Sequence, residues 1–349
     1  MTVDLEFVSA LPMKKVRRYL FFLLLLGLAV YFLLPRISAM QHALLVVSTL
    51  RVSFVLLGLG AQLLSYLGSG YLLRSVVNPR NNAVSIFDGA LVTAAANSVG
   101  TLGGGVLGTA GMTYMFLRRE GVNRPAAGLG SWLPIYLNNA VLAVVSLAGL
   151  LILTFLKKSS GILVIGFSFV GLTLGVGAGL WWALSHRKRV QPVVTAIAGF
   201  IAKIRRKSVD SFTLEATIGS WLKGWDALVG GGWRKPAAGA IMNTAFDMLT
   251  LECLFFAAGL HVSPATLVAG YGVPQLLGKL TVILGGVGIV ESGMVGLYAV
   301  LGVPKAGAIV AVLGYRLFSF WLPTLLGIAL VPYLGPRGAT PGETTDAIE

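Results

Sequence analysis

The chain has 349 residues, of which 56% are hydrophobic and 11% charged, with a formal net charge of +14. Soluble domains carry about 25% charged residues, so a mean hydropathy of +0.84 excludes a soluble globular protein and marks an all-α polytopic membrane protein. The basic residues are strung through the segments between apolar runs, which points to membrane topology and not to nucleic acid. Cys253 is the single cysteine, which excludes an internal disulfide and a thiolate metal site. His42, His186 and His261 show no ligand spacing, and no phosphate loop, dinucleotide fingerprint or nucleophile elbow occurs. The chain therefore reads as a non-enzyme with neither metal nor cofactor.

A crossing helix needs about 20 apolar residues. In chain order, the runs over 19–34, 43–66 (or on to 73), 126–156, 161–184, 237–260 and 305–333 read as six full spans. Lys14, Lys15, Arg17 and Arg18 before the first run give it the look of a signal peptide, but with so many spans following it reads as an uncleaved first span. Two further runs are broken. That over 83–117 is interrupted by Asn97, Gly100 and the glycines at 103 to 105, and that over 264–300 by Pro274 and the glycines at 285, 286 and 288. Basic residues place the N-terminus, Arg74, Arg80, Arg118, Arg119, Arg124 and the loop over 185–236 in the cytoplasm. Both ends of the first broken run then lie inside, and both ends of the second outside. The expectation is two glycine-broken re-entrant hairpins entering from opposite faces as an inverted repeat, with both termini cytoplasmic. One integral membrane domain covers 1–336, as a first half over 1–184, a basic loop over 185–236 and a second half over 237–336. Trp221, Trp225 and Trp233 give that loop an interfacial, lipid-contacting character. The tail over 337–349 has the small, polar composition of a disordered segment.

The repeat is visible in the residues. LGGGVLGTAGM, starting at Leu102, lies over LGGVGIVESGM, starting at Leu284, without a gap. Gly103, Gly104, Gly111 and Met112 fall on Gly285, Gly286, Gly293 and Met294, and Thr109 falls where Glu291 stands. Further on, EGVNRP from Glu120 resembles LGVPK from Leu301. Gly103, Gly104, Gly285, Gly286 and Gly288 are the candidate hairpin glycines.

Ionisable side chains at membrane depth cost about 2.5–3.5 kcal/mol on insertion scales and so face a bundle interior or a wet cavity. Arg51, Asp88, Asp247, Glu252, Lys279, Glu291 and Arg316 lie inside apolar runs. Glu291 and Arg316 are the leading transport-site candidates, with Lys279, Asp247 and Arg51 beside them. Pairing of Glu291 with Arg316, or of Lys279 with Glu291, is the structural alternative. Asp247 and Glu252 are five apart, roughly 140° around a helix, and do not share a narrow face. Asp88 reads as a cap at the start of the first hairpin. Tyr315, Phe318, Phe320 and Trp321 are aromatic candidates for packing, lipid contact or the lining of a lipid path.

GGVGIVESG, then LGVPKAGA, then YRLFSFWLP together resemble the end of the lysylphosphatidylglycerol synthase transmembrane-region family, which includes the flippase part of the bacterial multiple peptide resistance factor. The resemblance is sharp over 280–330 and loose elsewhere. Its Gly-x-Gly-x-x-Glu core matches at Gly286, Gly288 and Glu291, and its Tyr-Arg and Trp-x-Pro elements at Tyr315, Arg316, Trp321 and Pro323. The first half departs from the family pattern: GGGVLGT replaces Pro-Gly-x-x-Gly-Glu, and SWLPIYLNN lacks the Glu-Arg pair. The resemblance implies a lipid flippase of the bacterial cytoplasmic membrane that moves a polar-headgroup lipid through a buried cavity between the hairpins. Arg316, with Lys279, would hold an acidic headgroup, and Glu291 would balance that charge or carry a proton. Membrane lipids, anionic or polar in headgroup, are the expected partners, together with a lipid-synthesis enzyme or a second copy of the chain. A membrane-embedded, glycosyltransferase-like enzyme and an accessory subunit of a lipid-synthesis complex are the alternatives.

Overall fold

The computed structural model describes residues 50–77, 84–155, scattered positions between 167 and 182, 232–280 and 286–334. All belong to one compact unit, Leu50–Glu349. Helix is the only regular structure among the described residues. The helices are α1 (Val52–Val77), α2 (Ile86–Val99), α3 (Gly105–Arg119) and α4 (Arg124–Phe155), then α5 (Arg234–Ala257), α6 (Pro264–Leu280), α7 (Ile289–Val300), α8 (Lys305–Arg316) and α9 (Leu322–Leu334). A π-helical turn, Gly100–Gly104, joins α2 to α3, and a second, Leu317–Trp321, joins α8 to α9.

Four stretches are long and apolar enough to cross a membrane: Val52–Val77, Ala126–Phe155, Arg234–Ala257 and Lys305–Val331. They correspond to four of the six expected spans; those over 19–34 and 161–184 fall outside the described residues, apart from scattered positions in the latter. The described part of the second span runs on to Val77, past the further expected end at Leu73. Leu50 and Arg51 are not helical, and the Arg51 amide donates to the carbonyl of Ala257, so α1 begins only at Val52.

The two broken runs form helical hairpins, in which α2 packs on α3 and α6 on α7. At 14, 15 and 12 residues, α2, α3 and α7 are about 18–23 Å long, short of a hydrocarbon core of about 30 Å. The breaks differ from those expected. Asn97 stays within α2, and Pro274 stays within α6, which runs through it. Membrane helices tolerate such a proline where neighbouring protein covers the freed carbonyl. The turns themselves lie at glycines, with Gly105 at φ +53°, Gly286 at +70° and Gly288 at +84°, a region only glycine enters readily.

Helix ends follow local chemistry. Ser85 caps α2, accepting from the Asp88 amide at 3.0 Å while its hydroxyl donates to the Asp88 carboxylate at 2.6 Å, so the cap is Ser85 and Asp88, expected there, stands in the first turn. Ser263 caps α6 and precedes Pro264 at the first helical position. The hairpins end alike. Val122 bonds back to the Leu117 carbonyl and Val303 to that of Tyr298, around Gly121 (φ +77°) and Gly302 (φ +89°). Both are the glycine-terminated exit in which a left-handed residue closes the last turn.

The halves meet in reciprocal pairs. α1 runs along α5, α4 packs on α6, and α2 packs on α9. Small residues allow the close approaches. A Cβ on Gly70 of α1 would stand 2.0 Å from the Ile86 carbonyl of α2, and one on Gly327 of α9 would stand 2.5 Å from the Ala94 carbonyl of α2. One apolar core gathers Leu142, Leu150, Phe255, Met294, Tyr298 and Ala311 from α4, α5, α7 and α8. A second gathers Leu73, Val92, Phe116 and Ala127 around the first hairpin. Leu57, Leu63, Val144, Phe155, Leu325 and Leu326 are exposed on the outside. So much uncovered apolar surface suits a lipid environment.

Candidate functional site

Within this body lies a half-open cavity of about 610 Å³, lined by both polar and apolar side chains. Both hairpins, both π-helical turns and the helices α1, α4, α5, α8 and α9 contribute to its wall. Ligand sites fall in the range of roughly 300–1,000 Å³.

Asp247 of α5 is the hub of the wall. Its Oδ1 accepts from Gln62 Nε2 of α1 at 3.2 Å, and its Oδ2 from the hydroxyls of Tyr271 of α6 (2.6 Å) and Tyr315 of α8. Gln275 donates in turn to the Tyr315 hydroxyl. One half-buried carboxylate thereby ties four helices together through three side-chain donors. One turn earlier on α5, Asn243 donates from Nδ2 to the Ser65 carbonyl at 3.0 Å, and the Ser65 hydroxyl donates to the Asn243 carbonyl at 2.9 Å. The α1–α5 seam is thus polar on its cavity side.

Glu291 and Arg316 form the other centre. Arg316 Nε donates to Glu291 Oε1 at 2.8 Å, with both side chains buried. Glu291 Oε2 accepts from the Gly288 amide at 2.6 Å. The carboxylate therefore clasps the glycine turn of the second hairpin to the end of α8, and the sequence alternative of a Lys279–Glu291 pair is not the one formed. The Arg316 guanidinium lies 4.0 Å from the centre of the Phe320 ring, a cation–π contact. Arg316 lines the cavity, with Glu291 behind it.

Lys279 also lines the cavity, where Nζ donates to Asn139 Oδ1 at 3.1 Å. Asp247, Lys279 and Arg316 thus line one cavity. Arg51 does not join them: it is exposed at the start of α1, outside the cavity wall. Glu252 is half-buried and also outside the wall, as its angular offset from Asp247 requires. Thr109, aligned with Glu291 in the repeat, lines the cavity from α3. Of the hairpin glycines, Gly103 and Gly104 lie in the first π-helical turn, and Gly286 and Gly288 carry the second turn; Gly285 is outside the described residues. Tyr315 and Phe320 line the cavity, Phe318 packs against the core, and Trp321 is 40% exposed. Trp233 is exposed just before α5, whereas Trp221 and Trp225 lie outside the described residues.

The sequence reading passed over the carboxamides. Gln62, Asn97, Asn138, Asn139, Asn243 and Gln275 all face the cavity. An apolar run with an Asn or Gln inside it carries the same signal as one with a charge, at lower cost, and SWLPIYLNN already held two such residues.

Comparison with known proteins fits this architecture. Matches to proteins described as UPF0104 membrane proteins of Methanothermobacter thermautotrophicus run at 28% identity over 89 residues and 34% over 90. They cover 26% and 25% of this chain and 26% of each relative, so the similarity spans about a quarter of the relatives' length. Residues 18–327 match the Lysylphosphatidylglycerol synthase TM region. Since that match takes in the apolar helices, both hairpins and the cavity wall, the chain belongs to the lysylphosphatidylglycerol synthase transmembrane-region family.

Proposed function

We propose that this protein is a lipid flippase of the bacterial cytoplasmic membrane that moves a polar-headgroup lipid without modifying it. The observation that carries the reading is a half-open cavity of about 610 Å³, with Asp247, Lys279, Arg316 and several carboxamides in its wall, in a helical body whose outer surface is apolar. A headgroup can shed water there against side-chain donors and acceptors while its tails stay in hydrocarbon. Hairpins too short to cross the bilayer, set around the cavity, suit the role of re-entrant gates. Their shared glycine exits and the reciprocal α4–α6 and α2–α9 packing support an inverted repeat, in which rocking of one half exposes the cavity to alternate faces. In this mechanism Asp247 and Lys279 face the headgroup, and the Glu291–Arg316 clasp keeps the second hairpin attached to α8.

Purified protein in liposomes containing fluorescent lipids tests the reading. Dithionite bleaches only the outer leaflet, so flipping shows as loss of the protected fluorescence. Protein-free and protein-containing liposomes with the same protected fraction would refute it. A chemically altered lipid would instead mark a lipid-modifying enzyme.

A further inference from the structure

We propose that a groove between α3 and α4, on the outer side of the first hairpin, holds one anionic phospholipid, with its phosphate on Arg124 and an acyl chain laid along the two helices. The proposal goes beyond the flippase reading and does not rest on it: this lipid sits outside the cavity and stays with the fold.

The first argument is shape. The groove is an open cleft of about 390 Å³. Leu107, Ala110, Gly111 and Tyr114 line it from α3, at the spacing of a single helical face. Arg124, Gly128, Ser131 and Trp132 line it from α4, again from one face. A Cβ on Gly111 would meet nothing within 4 Å, so the groove is empty above it, while Leu107 and Trp132 stand exposed as its apolar walls. From Arg124 to Trp132 is about 12 Å along α4. That is under half of a hydrocarbon core of about 30 Å, so the groove matches a chain from one leaflet and is too short for a crossing helix. Thr109 and Thr113 put the opposite face of α3 on the cavity, and among the described residues Ser131 alone lines both spaces.

The second argument is depth. The crossing stretch that contains α4 begins at Ala126, so Arg124 stands at its entrance, where lipid headgroups lie. Trp132 is six residues farther in, about 9 Å. A cation at the mouth and apolar walls below it repeat the polarity of a phospholipid. The third argument is charge. Arg124 is exposed and has no hydrogen-bond or ion-pair partner among the described residues. With Arg118, Arg119 and Glu120 it gives the end of the hairpin three cations against one anion. A guanidinium fork fits phosphate, and a basic surface attracts anionic lipid. The ammonium of a zwitterionic headgroup would meet that same basic surface unfavourably.

The test is thermal unfolding of the full chain in detergent with added dioleoyl-phosphatidylglycerol or dioleoyl-phosphatidylcholine, because a ligand of the folded state raises Tm by mass action. Phosphatidylglycerol should give a saturable rise at a concentration at least roughly tenfold below that needed for phosphatidylcholine. Arg124→Gln should weaken the phosphatidylglycerol effect about tenfold, the scale of one hydrogen bond to a charged group. Gly111→Leu, which fills the groove, should remove that saturable rise. Asn97→Trp, which fills the main cavity, should retain it. Phosphatidylglycerol with brominated chains should quench the fluorescence of the parent more than that of Trp132→Phe. Equal stabilisation by phosphatidylcholine, or an undiminished effect in Arg124→Gln, would overturn the anionic headgroup. An undiminished effect in Gly111→Leu, equal quenching of parent and Trp132→Phe, or loss of the effect in folded Asn97→Trp would overturn the groove. Arg124→Gln and Trp132→Phe alter exposed side chains, so the test stands even if Gly111→Leu does not fold.

Discussion

Glu291 uses both carboxylate oxygens inside the protein, one on the Arg316 guanidinium and one on the Gly288 amide. That geometry suits a clasp better than a mobile charge. Removing one member of a buried ion pair typically costs about 3–5 kcal/mol, because the other is left uncompensated. Glu291→Gln and Arg316→Met should each lose stability on that scale in denaturant titrations of the detergent-solubilised protein. The double change should recover most of the loss; a double variant as unstable as the worse single one would show that the pair does more than hold the turn. At Asp247 the load is shared. Tyr271→Phe removes one of three side-chain donors to the carboxylate and should cost about 1 kcal/mol, the usual size of a hydrogen bond inside a membrane protein. A loss several times larger would mean that Tyr271 alone keeps Asp247 solvated. Glu291 and Arg316 were legible in sequence because a lone charge in an apolar run is conspicuous. Their pairing was not, since Lys279 lay equally within reach on paper.

At the scale of elements, the hairpins owe their shape to glycines in two distinct roles. Gly105, Gly286 and Gly288 supply left-handed backbone at the turns, which repeated glycines in an apolar run announce. Gly70 instead makes room for a neighbouring helix, and nothing in the sequence separates it from Gly60 two turns and more away. The structure does. A Cβ at Gly70 would overlap the Ile86 carbonyl, whereas one at Gly60 meets nothing within 4 Å. Gly70→Ala should therefore cost about 1–3 kcal/mol by overpacking the α1–α2 crossing. Gly60→Ala should fall within about 0.5 kcal/mol of the parent, as exposed substitutions do. Equal effects in the same unfolding assay would contradict the crossing. The π-helical turn at Gly100–Gly104 falls on glycines the sequence marks as a break, whereas that at Leu317–Trp321 left no sequence trace, because a single wide turn keeps the apolar pattern of the helix around it. Pro274 misled in the opposite direction, marking a break where α6 continues.

For the whole molecule, composition alone indicated an all-helical membrane protein, and the short matches between the halves anticipated hairpins that end in the same way. A cavity and its charged residues were expected from the lone charges in apolar runs, but its carboxamide wall was not, because it draws on residues up to about 260 positions apart whose polarity is modest one by one. Orientation belongs to this scale too. If the hairpins are inverted, Glu120→Cys after the first and Lys305→Cys after the second, each in a Cys253→Ala background, should react with an impermeant maleimide from opposite faces of the membrane. Labelling of both from one face would contradict the inversion. The central claim is that the polar cavity is the path of a lipid headgroup. Asn97 faces the cavity from α2 with an exposed side chain, so Asn97→Trp can fill the space without disturbing a packed core. The most direct measurement compares fluorescent-lipid flipping by the parent and by Asn97→Trp in liposomes, at matched protein content and matched Tm. The account predicts flipping by the parent and at least roughly a tenfold loss in the variant, the rate equivalent of about 1.4 kcal/mol of added barrier. Undiminished flipping through a filled cavity would contradict it.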